Sequence, residues 1–214
     1  MPFPLFIDPT NAGKELAKHL LPYKQQANTL ILALLPSGLA VAIPIAKLLE
    51  LPLDVYLVKK FSVPGQPKLV LGAIAVDDVV VFNDELLANH FVSTDEIGVL
   101  IESNLNRLAE RNNLYRHNRS LPDIKDHTII LVDHGSETGS SLRAAIAALK
   151  KHQPQKIIVA IPVASKNALA KIKPEVDEVV YLHSPQPFYK IRTWYKNTLL
   201  QTEAELIELL ESAQ

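Results

Sequence analysis

Along the chain the apolar positions fall into short unbroken runs that alternate with stretches of helical spacing. The runs Thr29–Leu34, Leu53–Val58, Ile129–Val132, Lys156–Pro162 and Glu178–Leu182 are rich in Ile, Leu and Val and are bounded by turn formers, the pattern of strands buried on both faces. Between them, Asn11–Leu21 places Leu16, Ala17 and Leu20 on one apolar face, with Asn11 as its cap. Helical spacing returns at about Leu39–Glu50, Leu142–Lys150 and Lys166–Ile172. It also spans about Thr94–Arg116, where Ile97, Leu100, Ile101, Leu105 and Leu108 share a face. Thr202 followed by Glu205 is a capping box that opens a last amphipathic helix. Strand–helix alternation of this kind predicts an α/β fold, a doubly wound and mainly parallel sheet flanked by helices.

One region breaks the alternation. Phe61–Lys68 is punctuated by Pro64, Gly65 and Pro67 and reads as a loop, while Leu69–Ala75 and Val79–Phe82 flank Asp77-Asp78 as a β-hairpin. With the long polar helix they predict an insertion, about residues 61–122, lying over the strand ends of a single domain. Ala27–Ala46 is uncharged for 20 residues, nominally enough to cross a bilayer, but Pro36-Ser37-Gly38 interrupts it and Pro44 follows. A buried strand, a tight loop and a core helix is therefore the preferred reading, with no membrane partner.

Composition narrows the classes. The chain has 214 residues, 48% of them apolar and 21% charged, which suits one well-packed globular domain. A net charge of −1 offers no overall field for nucleic acid or acidic membranes. With no cysteine there is no disulfide scaffold, thiolate metal site or Cys nucleophile, and a reducing cytoplasm is the expected location. The start, Met1–Asp8, shows no basic n-region, so no signal peptide is expected. His19, His90, His117, His127, His152 and His183 lack metal-ligand spacing, so no transition-metal site is expected.

The candidate chemistry gathers after the run Ile129–Val132. Asp133 stands at its C-terminal end, followed by Gly135, Thr138, Gly139, Ser140 and Ser141 and then by an alanine-rich helix. In a strand, small-residue loop, helix arrangement, the loop amides and the helix N-terminus converge on one spot, and the hydroxyls of Thr138, Ser140 and Ser141 add donors for a phosphate. No Lys stands beside the hydroxyls, as a Walker loop requires, and there is no Gly-x-Gly-x-x-Gly. A serine hydrolase is disfavoured because Ser136 stands at the second position of the pentapeptide Gly135–Gly139, where a Gly-x-Ser-x-Gly elbow needs Ser at the third. A plain βα turn with a cap remains the structural alternative. Lys59-Lys60, at the end of the Leu53–Val58 run, reads equally as a solvated strand end or as part of a ligand edge.

Apolar strand, Asp133, His134, Gly135, two residues and then Thr138-Gly139-Ser140 resembles the phosphoribosyl pyrophosphate (PRPP) motif of type I phosphoribosyltransferases. Other stretches resemble the bacterial, broad-specificity branch of predicted phosphoribosyltransferases. They include Asp8 with Ala12-Gly13, Pro52-Leu53-Asp54-Val55, Lys60 with Val63-Pro64-Gly65, and Gly72-Ala73-Ile74-Ala75. Further on they include Asn83, Tyr115-Arg116, Arg119, Val159-Ala160-Ile161-Pro162, Pro185-x-Pro187-Phe188 and Trp194-Tyr195. The resemblance implies a phosphoribosyltransferase fold with a hood formed by the insertion and by about residues 185–214. It also implies transfer of ribose 5-phosphate from PRPP to an acceptor with release of pyrophosphate, Mg²⁺ carried with the substrate, and a homodimer.

Carried over residue by residue, Asp133 would hold the ribose hydroxyls, and Gly135 with Glu137 to Ser141 would cup the 5′-phosphate. The family's second acid is His134 here. Its Pro-Arg-Gly-Gly loop falls on Leu35-Pro36-Ser37-Gly38 and keeps only Gly38, so Ser37 replaces an Arg and the cationic role would pass to Lys59 or Lys60. Phe188 and Trp194 fall where an acceptor ring would stack. Of the protein groups, Asp133 is the one placed to meet the metal. Displacement at ribose C1′ develops oxocarbenium charge, and a carboxylate about 5 Å away at an effective dielectric near 20 contributes roughly 3 kcal/mol. Loss of the second acid then costs on the order of 10²-fold in rate. Glu137 is the candidate surrogate acid/base, with His134 contacting phosphate or substrate. The alternative is an impaired member that binds a phosphorylated sugar or nucleotide as a sensor.

Overall fold

In the computed structural model, residues 4–76, 78–82, 87, 93–116, 120–197 and 202–211 are described. Asp77, Asn83, His90, His117 and Arg119, singled out above, lie outside the described residues.

Among the described residues the strands β1 (Thr29–Leu34), β2 (Leu53–Tyr56), β6 (Thr128–Val132), β7 (Lys156–Val163) and β8 (Glu178–His183) form a five-stranded sheet in the order β2-β1-β6-β7-β8. Every neighbouring pair is parallel. Successive residues of β1 serve opposite faces: Ile31 and Ala33 pack with the helices on one side, Leu30, Leu32 and Leu34 with those on the other. Helices α1 (Pro9–His19) and α2 (Leu39–Leu49) cover the first face. Burial on both sides is what the unbroken apolar runs require, each fully buried Leu or Ile contributing about 1.5–3 kcal/mol. No described helix is long and apolar enough to cross a membrane.

The cap of α1 corrects the expectation. Asp8, not Asn11, is the N-cap, its carboxylate accepting from the Asn11 amide at 2.7 Å. Pro9 lacks an N–H and is preorganised for the first helical position, so the helix begins earlier and the cap moves to residue 8.

The run Leu53–Val58 is not one strand either. β2 ends at Tyr56, and Val58 opens β3 (Val58–Val63), which pairs antiparallel with β4 (Gln66–Ala75) and through it with β5 (Val80–Phe82). The stretch 61–68 is therefore a hairpin rather than a loop, with Val63 opposite Gln66 and a turn at Pro64-Gly65, where Gly65 has φ +74°. Phe61 and Val63 alternate with Lys60 and Ser62, a period-two pattern that punctuation by Pro and Gly masks in the sequence. Lys59 and Lys60 consequently belong to this second sheet and not to the end of a parallel strand.

Two helices sandwich that sheet. Helix α3 (Thr94–Arg116) buries Leu108 and Tyr115 with Phe61, Val63, Leu71 and Ile74. Helix α4 (Ser140–Lys151), which also covers the second face of the parallel sheet, packs by Leu142 and Ile146 near Ala75 and Val81. At the end of α3, Arg116 is 1% exposed. Its guanidinium donates to Asp54 Oδ1 at 3.0 Å, to Asn112 Oδ1 at 2.8 Å and to the Val55 carbonyl, fixing α3 to β2. Helix α5 (Lys166–Ile172) joins α4 on its face, and α6 (Glu203–Glu211) opens with the expected box, Thr202 N to Glu205 Oε2 at 2.7 Å and Glu205 N to Thr202 Oγ1 at 3.3 Å.

Candidate functional site

The C-terminal ends of β1, β6 and β7 bring three loops to one edge, the edge where open parallel sheets bind ligands. Asp133 is the first residue past β6. It is 6% exposed, and its Oδ1 accepts from Ser37 Oγ and from the His134 amide, each at 2.7 Å. His134 Nδ1 lies 3.0 Å from the same oxygen, so the contact calls for the proton on Nδ1. Among the described residues, Oδ2 has no hydrogen bond. Ser37 reaches Asp133 because the first loop packs against the end of β6. A Cβ at Gly38 would stand 2.3 Å from the Val132 carbonyl oxygen and 2.8 Å from that of Leu34. Gly38 is thus needed for close backbone approach.

The loop after β6 rests on the part of β7 that extends past it. Val132 pairs with Ala160, and β7 continues to Val163, whose carbonyl accepts from Ser136 N at 3.0 Å. Ser165 N donates to the Ser136 carbonyl at 2.9 Å, and Ser165 Oγ to that of Glu137 at 2.6 Å. Ser136 Oγ in turn accepts from Gly139 N at 3.1 Å, and Gly139, in the left-handed region at φ +81°, turns the chain into α4. Gly139 offers no side-chain cap to α4, and of the first amides that of Ser140 donates to Thr138 Oγ1 at 3.4 Å, so the helix N-terminus faces the loop. Thr138 Oγ1 and Ser140 Oγ lie 2.8 Å apart, and Lys60 Nζ donates to Ser140 Oγ at 3.3 Å. Amides, hydroxyls and an ammonium therefore meet at one helix N-terminus, the donor set of a phosphate cup.

Some expected residues fall outside this cluster. Glu137 and Ser141 are exposed, and the Glu137 carbonyl, not its carboxylate, makes the contact with Ser165. Lys59 is on the opposite face of β3 from Lys60. Trp194 is 4% exposed and packs with Phe6 and Val163, its indole N–H unpartnered among the described residues; half-buried Phe188 lies 5.8 Å from it, ring centre to ring centre.

Three contacts escaped the sequence reading. Ser37, Ser165 and Tyr195 act across gaps of tens of residues, and no local pattern announces them. The Tyr195 hydroxyl donates to the His134 carbonyl, and its ring stacks on that of His134 with centroids 6.4 Å apart and an interplanar angle of 23°. Burial, with the nearby Asp133 charge adding to it, pushes the Tyr195 hydroxyl far above the ordinary tyrosine range, so it remains a neutral donor. Among the described residues no three His, Asp or Glu side chains are grouped to hold a metal ion.

With this geometry in view, the family described as phosphoribosyl transferase domain matches residues 10–186. A Mycobacterium tuberculosis protein named "Putative phosphoribosyl transferase Rv0571c" is 31% identical over 209 residues, covering 98% of this chain and 47% of its own length. The chain thus spans about half the length of the curated relatives it matches. The crystal structure of TT1426 from Thermus thermophilus superposes with a TM-score of 0.85 at 30% identity, covering 97% of this chain and 98% of that one. A hypothetical protein from Neisseria gonorrhoeae with bound ppGpp shares the fold at 12% identity and a TM-score of 0.53, covering 100% and 99%.

Proposed function

Because the chain belongs to the phosphoribosyl transferase family, we propose that it transfers ribose 5-phosphate from PRPP to an acceptor, releasing pyrophosphate. The observation that carries this reading is the joining of two half-sites: Asp133, held by Ser37 from the first loop, stands beside the cup formed by Thr138, Ser140, the start of α4 and Lys60. The 5′-phosphate would accept from the α4 amides and hydroxyls while Lys60 neutralises it. Asp133 would hold the ribose hydroxyls, its charge lying near the ring as C1′ becomes positive.

In the proposed step the bond from C1′ to the diphosphate oxygen breaks, and pyrophosphate leaves with the electron pair. The acceptor atom bonds to C1′ and its proton passes to Glu137, whose exposure leaves it accessible at the loop. Magnesium fits the donor set in a restricted way: the hydrogen-bond-free Oδ2 of Asp133 is one hard oxygen, which suits an ion that keeps its waters and arrives on substrate phosphates. When bound, it would neutralise the diphosphate leaving group.

One feature supports a second reading, a binding module without turnover. His134 occupies the position of the second acid and is committed on both sides, its ring to Asp133 and its carbonyl to Tyr195. Isothermal titration with PRPP, with and without Mg²⁺, beside ribose 5-phosphate and AMP, separates the two. Micromolar PRPP binding that needs Mg²⁺ is the expected result. Equal binding of the monophosphates with no response to Mg²⁺ would replace the transferase by a sensor of phosphorylated sugars or nucleotides.

A further inference from the structure

Tyr195 lies 61 positions beyond His134 in the chain, yet its hydroxyl donates to the His134 carbonyl. The two rings stack with centroids 6.4 Å apart. Tyr195 is 4% exposed, whereas 29% of the His134 side chain is open to solvent. From this geometry we infer that Tyr195 is the positioning residue of the Asp133–His134 pair: it clamps the His134 peptide and ring so that Nδ1–H is donated to Asp133 Oδ1.

The clamp is itself fixed. Leu5 N and Phe6 N donate to the Trp194 carbonyl at 2.9 and 3.0 Å, while Lys196 N and Asn197 N donate to the Phe6 and Ile7 carbonyls at 2.9 and 2.8 Å. This ladder straps residues 5–7 to residues 194–197 on either side of Tyr195. The Phe6 ring, 2% exposed, lies 5.4 Å from that of Tyr195, centroid to centroid, so a second buried ring supports the phenol. Asp8, next along the chain, caps α1 and ties the strap to a core helix. Burial, with the Asp133 charge adding to it, keeps the phenol neutral, so the donor does not titrate away.

What the clamp does follows from the donors on each carboxylate oxygen. Oδ1 of Asp133 takes Ser37 Oγ, the His134 amide and His134 Nδ1 at 2.7, 2.7 and 3.0 Å, while Oδ2 takes none among the described residues. Three donors on one oxygen fix the carboxylate and leave the other oxygen for a ligand. With the proton on Nδ1, Nε2 carries a lone pair. His134 then serves as a neutral donor that orients Asp133 and does not replace the missing acid. Released from Tyr195, the partly exposed ring could turn away from Asp133, and either nitrogen could hold the proton. The value of this for catalysis, presentation of Oδ2 to the ribose hydroxyls, rests on the transferase reading; the positioning does not.

Nitrogen-15 NMR of the imidazoles at about pH 8, where an ordinary histidine is neutral, reads the proton position directly. His134→Gln assigns the signal among the seven histidines. In the parent, Nδ1 should show the shift of a protonated ring nitrogen and Nε2 that of an unprotonated one. Tyr195→Phe removes the hydroxyl and keeps the ring; the ratio of Nδ1–H to Nε2–H forms should fall about 5-fold, the equivalent of one net hydrogen bond. If that variant does not fold, Phe6→Leu, which loosens the phenol but keeps its hydroxyl, should move the ratio the same way by less. Leu182→Ala, which takes a partner from the same apolar cluster, should lower the melting temperature and leave the ratio alone. PRPP titration with Mg²⁺ reads the consequence, with affinity weakening in parallel with the ratio. A parent in the Nε2–H form, or a ratio that Tyr195→Phe leaves unchanged, overturns the positioning role whether or not PRPP binds. A ratio moved equally by Leu182→Ala also overturns it, by making Tyr195 one packing residue among others. A Tyr195-dependent ratio in a parent that ignores PRPP keeps the role and removes the transferase reading.

Discussion

The two ends of the parallel sheet have the same strands but different chemistry. At the N-terminal end, a cleft of about 450 Å³ is lined by Gln25, Asn28, Glu50, Asp123 and His127 among others, and no Lys or Arg lines it. Beside it Tyr23, Lys156 and Glu178 bond to one another. At the C-terminal end, an ammonium, the first amides of α4 and a buried carboxylate are arranged around loops packed against backbone. What separates the two ends is the donor set. One end partners its charges internally, whereas the other leaves donors for an anion.

The largest effect should come from the loop packing. Gly38→Ala puts a methyl group against three backbone atoms within 3.0 Å, with no flexible side chain to yield. A stability loss of about 3 kcal/mol is expected from forced insertion of this kind. It should read out as a lowered urea midpoint together with lost PRPP binding, because the same loop carries Ser37. An unchanged midpoint would mean that the first loop does not depend on its approach to β6.

Asp133→Asn should separate binding from stability. The amide oxygen can still accept from Ser37 and the His134 amide, so stability should move by about 1 kcal/mol or less. Loss of the negative charge beside the ribose should cost on the order of 10²-fold in transfer rate. A large fall in melting temperature with little change in transfer would assign Asp133 to structure and blur the contrast between the two ends.

Legibility followed the same division. The bounds of β1, α3 and α5 can be read directly as Thr29–Leu34, Thr94–Arg116 and Lys166–Ile172, because strong periodicity or an unbroken apolar run marks each. The strand, loop and helix that present Asp133, Thr138 and Ser140 are likewise visible, because their residues are contiguous in sequence. Hydropathy could not show the bend at Leu57, since that residue is 2% exposed and continues the apolar run while the chain changes sheets. Past that bend Lys59 and Lys60 lie on opposite faces of β3, in the second sheet.

The smallest effect lies at the N-terminal end and concerns pH. Hydrogen bonding from Tyr23, with Lys156 adding to it against the opposing burial, holds Glu178 below its usual value. A depressed acid contributes stability above its unfolded pKa and loses it as pH falls through the lower folded value. For Lys156 the bond to Tyr23 leads and raises its pKa; for Tyr23 burial leads, with Glu178 adding. Raised values act in the opposite sense: the contribution is full below the unfolded pKa of each group and disappears as pH rises through the folded ones. Stability attributable to the cluster should therefore fall at both extremes. All three groups are partly exposed and screened by solvent, so Glu178→Gln should cost only about 0.5 kcal/mol at neutral pH. Parent and variant should converge in urea midpoint as the pH drops well below 4.5, the ordinary carboxyl value. PRPP affinity should not change, because the cluster lies at the far end of β7 and β8 from Asp133. A Glu178→Gln protein with altered ligand affinity would show the two ends to be coupled through the sheet, and the division between a stabilising edge and a binding edge would fail.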